Sequence, residues 1–122
     1  MLRRGFFSLR AVRVGMSDRV HIDTQETGLA IDATGEIFQS SVEIAKLISV
    51  NIQATANADY ALDVSPDGDT WFDAEVEYVA ADEPDPQDIR DVFELTDRYV
   101  RLRVTAAATA DATADVVVQG VR

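Results

Sequence analysis

Over much of the span from residue 42 to 105, apolar residues recur at every second position, and many of them are β-branched. A period of two puts alternate side chains on opposite faces of an extended backbone, so this stretch specifies strands rather than amphipathic helices. Val42, Ile44, Ile48, Val50 and Ile52 fall on one face of a strand over 42–52. Tyr60, Leu62 and Val64 do so over 59–65, and Phe72, Ala74, Val76 and Tyr78 over 71–80. Over 98–105, Val100, Leu102 and Val104 face one way, and Tyr99, Arg101 and Arg103 the other. Residues 114–121 read as the last strand.

The punctuation agrees with this reading. Ser65-Pro66-Asp67-Gly68-Asp69 is a strong turn signal between two strands. Shorter strands are expected at 19–23, 29–33 and 36–39, broken by Gly28 and Gly35, with another at 89–95. Residues 81–88 hold two prolines and the acids Asp82, Glu83, Asp85 and Asp88, the signature of a solvated loop. Residues 106–114 are small and polar, a loop or a loosely paired edge. Seven to nine short strands with turns roughly every ten residues indicate an all-β chain, a single antiparallel β-sandwich or jelly roll. A chain of 122 residues, 47% apolar, can bury one such core. The expected division is a basic N-terminal arm over 1–18 and a sandwich domain over 19–122.

Charge divides the chain the same way. Residues 20–122 carry 21 acids against 6 bases, and residues 1–19 carry Arg3, Arg4, Arg10, Arg13 and Arg19 against Asp18 alone. Lysine occurs once, at Lys46, and aspartate outnumbers glutamate 15 to 7. Such a body repels itself in dilute buffer, and molar salt screens the repulsion, so the profile points to a protein adapted to brine. An acidic body also repels nucleic-acid phosphates, so no nucleic-acid partner is expected for it. No apolar stretch approaches the 18 residues of a membrane-spanning helix, and no membrane association is expected. Arg3-Arg4-Gly5-Phe6-Phe7 has the look of a twin-arginine export signal, but Arg10 and Arg13 interrupt the apolar stretch that such a signal needs. Met16 offers an alternative start to Met1. If the arm is ordered, its anchor is its own acidic body, a neighbouring copy or another partner. Its contact residues are then Arg3, Arg4, Phe6, Phe7, Arg10 and Arg13.

Catalytic chemistry has little to work with. There is no cysteine and one histidine, His21, which excludes thiolate chemistry and multi-histidine metal centres. His21 alternates with Val20 and Ile22 and reads as a solvent-side strand residue. Asp63, Asp67 and Asp69 are weak candidates for Ca²⁺, and the 81–88 loop offers another oxygen cluster, but neither matches a calcium-loop pattern. No metal, cofactor or enzymatic activity is expected. By strict alternation Trp71 lies outward with Asp73, Glu75 and Glu77, where it could stack on a sugar ring or a partner; a bulge after the turn would tuck it into the sandwich edge instead. Arg101 and Arg103 face outward on their own strand, so adjacent strands would pair them with Asp73, Glu75 and Glu77, in a surface ladder or across a subunit contact.

Two segments carry a resemblance. Tyr60-Ala61-Leu62-Asp63-Val64-Ser65-Pro66-Asp67-Gly68-Asp69-Thr70-Trp71 is similar to a strand–S-x-D-G-x-x-W–strand hairpin, and Arg98-Tyr99-Val100-Arg101-Leu102-Arg103-Val104-Thr105 resembles the R-Y-V-R-x-x-V-T strand that accompanies it. The pair resembles small β-sandwich domains of tailed-phage virion proteins, and also discoidin-like, galactose-binding-type sandwiches, over residues 42–121. The region before Val42 is shorter and more polar than in the sugar-binding type. The resemblance therefore implies a virion structural protein, in capsid decoration, turret or head–tail position. With the salt signature, it implies a haloarchaeal tailed virus assembled in a high-salt host cytoplasm. Copies of itself and other virion proteins are the implied partners. The alternative is a carbohydrate-binding module for host-surface glycans, stacking on Trp71.

Overall fold

The computed structural model describes residues 20–42, 45–86 and 88–121. They form eight strands: β1 Val20–Ala30, β2 Gly35–Ser41, β3 Leu47–Ala54, β4 Asp59–Ser65, β5 Phe72–Tyr78, β6 Ile89–Glu94, β7 Tyr99–Ala106 and β8 Thr113–Val121. Two four-stranded antiparallel sheets result, one in the order β1-β8-β3-β6 and the other β2-β7-β4-β5. Of the two architectures the periodicity allowed, this order is the jelly roll.

The inner faces come from the period-two residues. Ile48, Val50 and Ile52 on β3, Leu62 on β4, and Val100 and Leu102 on β7 are buried. Each contributes roughly 1.5–3 kcal/mol by leaving water. A polar hydrogen bond closes each flank of the sandwich. On one flank Ser40 Oγ of β2 donates to Thr24 Oγ1 of β1 at 3.0 Å. On the other, Tyr78 Oη of β5 donates to Asp91 Oδ2 of β6 at 3.0 Å.

Several expected boundaries move. The strand expected over 42–52 begins only at Leu47: Val42 is buried but precedes the strand, and Ile44 lies outside the described residues. The separate strands expected at 19–23 and 29–33 are one strand, β1. Gly28 does not end it but sits in an irregularity at φ +68°, where its N–H meets Asp115 Oδ1 at 2.9 Å. β5 is shorter than the expected 71–80 and is interrupted by a bulge. Val64 pairs with Phe72 and Leu62 with Val76, so three residues of β5 oppose Asp63 alone. Ala74 at the bulge has φ +57°. Phe72 precedes the bulge on an edge strand and is 56% exposed, whereas Val76 and Tyr78 are half-buried against the core.

Candidate functional site

The outer face of the β2-β7-β4-β5 sheet carries the densest chemistry. An outward residue on a sheet is ordinarily wetted, yet Ala61, Asp63 and Ser65 of β4 are all buried. Neighbouring side chains cover them. Registry sets Asp63 beside Arg101 and Ser65 beside Tyr99. Arg101 Nε reaches Asp63 Oδ2 at 2.6 Å; Arg103 Nε reaches the same oxygen at 2.6 Å, and its Nη2 donates to Oδ1 at 2.9 Å. The Ala74 N–H adds a bond to Oδ1 at 2.7 Å, so the carboxylate also holds the β5 bulge. Burial pushes the Asp63 carboxyl upward, but Arg103, the Ala74 amide and Arg101 outweigh it and hold the group at about 2.

Trp71 completes the cover. It is half-buried, with the Arg101 guanidinium 4.4 Å from its ring centroid, a cation–π contact on the outer face. Arg101 also reaches Asp73 Oδ1 at 3.1 Å. The expected ladder between β7 and β5 is thereby corrected. β4 lies between those strands, and the acid that joins both arginines is Asp63. Of the three acids expected on the ladder, Asp73 alone is placed against Arg101. Glu77 lies opposite Ala61, and Glu75 turns to line a cleft at the sandwich flank.

The turn between β4 and β5 is built from the same motif. Ser65 Oγ accepts from the N–H groups of Gly68 at 2.7 Å and Asp67 at 3.3 Å. Asp67 Oδ1 accepts from Thr70 N–H at 2.7 Å and Asp69 N–H at 2.8 Å. Those backbone bonds lower the Asp67 carboxyl against a smaller upward effect of desolvation. Gly68 sits at φ +85° with the Tyr99 ring against its α-carbon, and Arg98 N–H donates to Ser65 O at 3.0 Å. The two resembling segments, 60–71 and 98–105, are therefore one cluster in space. Their shared residues hold the hairpin against β7.

The calcium candidates separate. Asp63 is committed to arginines, Asp67 to its own turn, and Asp69 is exposed. Among the described residues no group of three histidine, cysteine or acidic side chains could hold a metal ion. In the 81–88 loop, Asp82, Glu83, Asp85 and Asp88 are exposed, and the Asn57 amide donates to the backbone oxygens of Glu83 and Asp85. Asp59 Oδ1 accepts from Ala80 N–H at 2.8 Å and Ala81 N–H at 2.7 Å, and Asp32 Oδ2 from Asp111 N–H at 3.0 Å. Asp32, Asp59, Asp63, Asp67 and Asp115 thus each fix a turn, bulge or strand end. A short carboxylate suits that task, which gives the excess of aspartate over glutamate a local cause beside salt. His21 falls in β1, and Arg3, Arg4, Phe6, Phe7, Arg10 and Arg13 of the arm lie outside the described residues.

A cleft of about 730 Å³ opens at one end of the β5–β6 flank. Leu47, Val64 and Leu95 form its apolar surface, and Glu75, Glu94 and Asp97 carry its charge, with Lys46 the single base. Sequence reasoning missed it because its walls come from four separate segments. Comparison with known proteins adds no relative: no family model matches the chain, nor does any curated protein or solved structure. The fold defines the class, an all-β jelly-roll sandwich, and its outer-face cluster is consistent with a structural or binding module.

Proposed function

We propose that the chain is a non-enzymatic virion structural protein, a capsid-decoration, turret or head–tail component of a halophilic tailed virus. One observation carries the structural part of this reading. The polar groups clustered on the outer face are spent on one another, Asp63 on Arg101 and Arg103 and Asp67 on its turn, so the site rigidifies the sandwich rather than presenting reactive groups. The jelly-roll order supports the setting, since that frame serves capsid and lectin domains. The formal charge of −11 supports the brine. Partners are copies of the chain and other virion proteins.

The half-exposed Trp71 favours a second reading, a carbohydrate-binding module, because an aromatic beside Arg101 and Asp73 is a fitting platform for a sugar ring. Quantifying the protein in purified virus particles and screening it on a glycan array in molar salt separates the two. Stoichiometric recovery in particles without glycan binding is expected. Strong binding to a defined glycan, abolished by Trp71→Ala while the fold persists, would overturn the structural reading.

A further inference from the structure

We propose that the flank cleft is the docking site for the arginine- and phenylalanine-bearing segment 3–13 of the same chain. The proposal is independent of any virion role.

The cleft has two chemistries. Leu47, 39% exposed, stands beside the buried Val64 and Leu95, so its side chain leaves apolar surface open to water over a core floor. Around it stand Glu75, Glu94 and Asp97 against Lys46. An occupant that fits brings aromatic or aliphatic bulk for the floor and at least two cations for the rim. Segment 3–13 has that composition: Phe6, Phe7 and Leu9 among Arg3, Arg4, Arg10 and Arg13. Guanidinium groups suit a carboxylate rim because they can bind it bidentately.

Registry puts the arm's point of departure at the right end of the molecule. In the first sheet Val20 pairs with Val121, Val121 with Leu47, and Leu47 with Glu94. One row across the sheet therefore joins the residue that follows the arm to two residues that line the cleft. Two strand spacings separate Val20 from Leu47 and three separate it from Glu94, about 10 Å and 14 Å. The seven-residue step from Arg13 to Val20 can span about 24 Å when extended. The tether is thus long enough to deliver residues 3–13 to their own cleft, and short enough to favour that over a second copy. A tether of this length gives an effective concentration in the millimolar range.

Cysteine pairs test this in the full chain, which has no cysteine of its own. Ser8→Cys is combined with Thr96→Cys at the cleft, and separately with Thr109→Cys in the β7–β8 connection at the opposite end. Under mild oxidation at about 0.15 M ionic strength, the first pair should close an intramolecular disulfide about tenfold faster than the second. Adding Glu94→Lys and Asp97→Lys to the first pair should remove most of that advantage. Circular dichroism reports that each variant is folded. Equal rates for the two pairs, an unchanged advantage after charge reversal, or cross-linking that gives dimers instead of monomers would each overturn the proposal.

Discussion

Arg103 holds Asp63 through two nitrogens, Nε to Oδ2 at 2.6 Å and Nη2 to Oδ1 at 2.9 Å, on the outer face of a sheet where water would ordinarily separate the charges. Asp63 is fully buried while the side chains of Arg101 and Arg103 keep 22% and 30% exposure. The acid is therefore the hub and the arginines its solvent-facing cover. Replacing it leaves two cations crowded together and the Ala74 N–H without its acceptor. Asp63→Ala should cost about 3 kcal/mol, the lower end for breaking a buried pair, because the arginines can turn to water. Urea unfolding checks it, and a loss below about 0.5 kcal/mol would place the pair among ordinary surface contacts.

The same carboxylate sets an acid limit. Its value falls from an ordinary 3.8 to about 2 in the folded chain. A lowered carboxylate contributes stability that is fully present above 3.8 and is lost as pH falls through 2. At 1.36 kcal/mol per pH unit, the contribution is about 2 kcal/mol. The stability gap between the wild type and Asp63→Asn should hold constant down to about pH 4 and shrink by that amount towards pH 2. A gap independent of pH would remove the charge from the explanation.

The strands that the sequence revealed are those whose alternation is uninterrupted. Val100, Leu102 and Val104 announce β7, and Ile48, Val50 and Ile52 announce β3, because one face of each is wholly buried. Irregular backbone was less legible. Gly28 reads as a break in sequence but is a bulge inside β1, and nothing local marks Ala74 as the residue at φ +57°. That conformation is set from β4, through the bond from the Ala74 N–H to Asp63. The site was half legible for the same reason. Alternation turned Arg101 and Arg103 outward correctly, but their partner depended on which strand lay next to β7, and registry belongs to the sheet. The cleft was illegible, being assembled where four segments meet.

Gly68 gives a local test of the turn. Its φ of +85° disfavours any L side chain, and an added Cβ would lie 3.4 Å from the Tyr99 ring. Gly68→Ala should lower stability by about 1–2 kcal/mol. Thermal unfolding checks it, and the neutral result would mean that the ring yields and the turn relaxes.

Salt should separate the long-range charge from the buried pair. Residues 20–122 carry a formal −15, and molar salt shortens the Debye length to about 3 Å, so the melting temperature should rise substantially from dilute buffer to about 1 M KCl. Buried pairs are screened much less, so the penalty for Asp63→Ala should survive the change. A flat melting profile would argue against adaptation to brine. A mutational penalty that vanishes in salt would argue against a buried pair.

Two tyrosines in register on β4 and β5 should respond to the same substitution with opposite signs. Tyr60 and Tyr78 are cross-strand partners. Tyr60 is 2% exposed, and its hydroxyl has no hydrogen-bond partner among the described residues. Tyr78 donates its hydroxyl to Asp91 across the sandwich flank. A buried, unmatched hydroxyl costs about 1–3 kcal/mol, so Tyr60→Phe should stabilise the fold by about 1 kcal/mol after the small void is counted. Tyr78→Phe removes one of the polar links between the sheets and should destabilise by about 1 kcal/mol. Alkali separates them further. Burial pushes Tyr60 up to about 12, and burial followed by the Asp91 bond and charge pushes Tyr78 higher still. Both tyrosines hold their protons in the folded chain after unfolded tyrosine, at 10.0, has lost its own. Stability therefore falls as pH rises from 10 towards 12, and each Tyr→Phe variant should lose a share of that alkaline slope. Denaturant titrations of both variants at pH 7 and pH 11 measure all four values. Destabilisation by Tyr60→Phe at pH 7 would show that its hydroxyl is bonded after all, to a buried water.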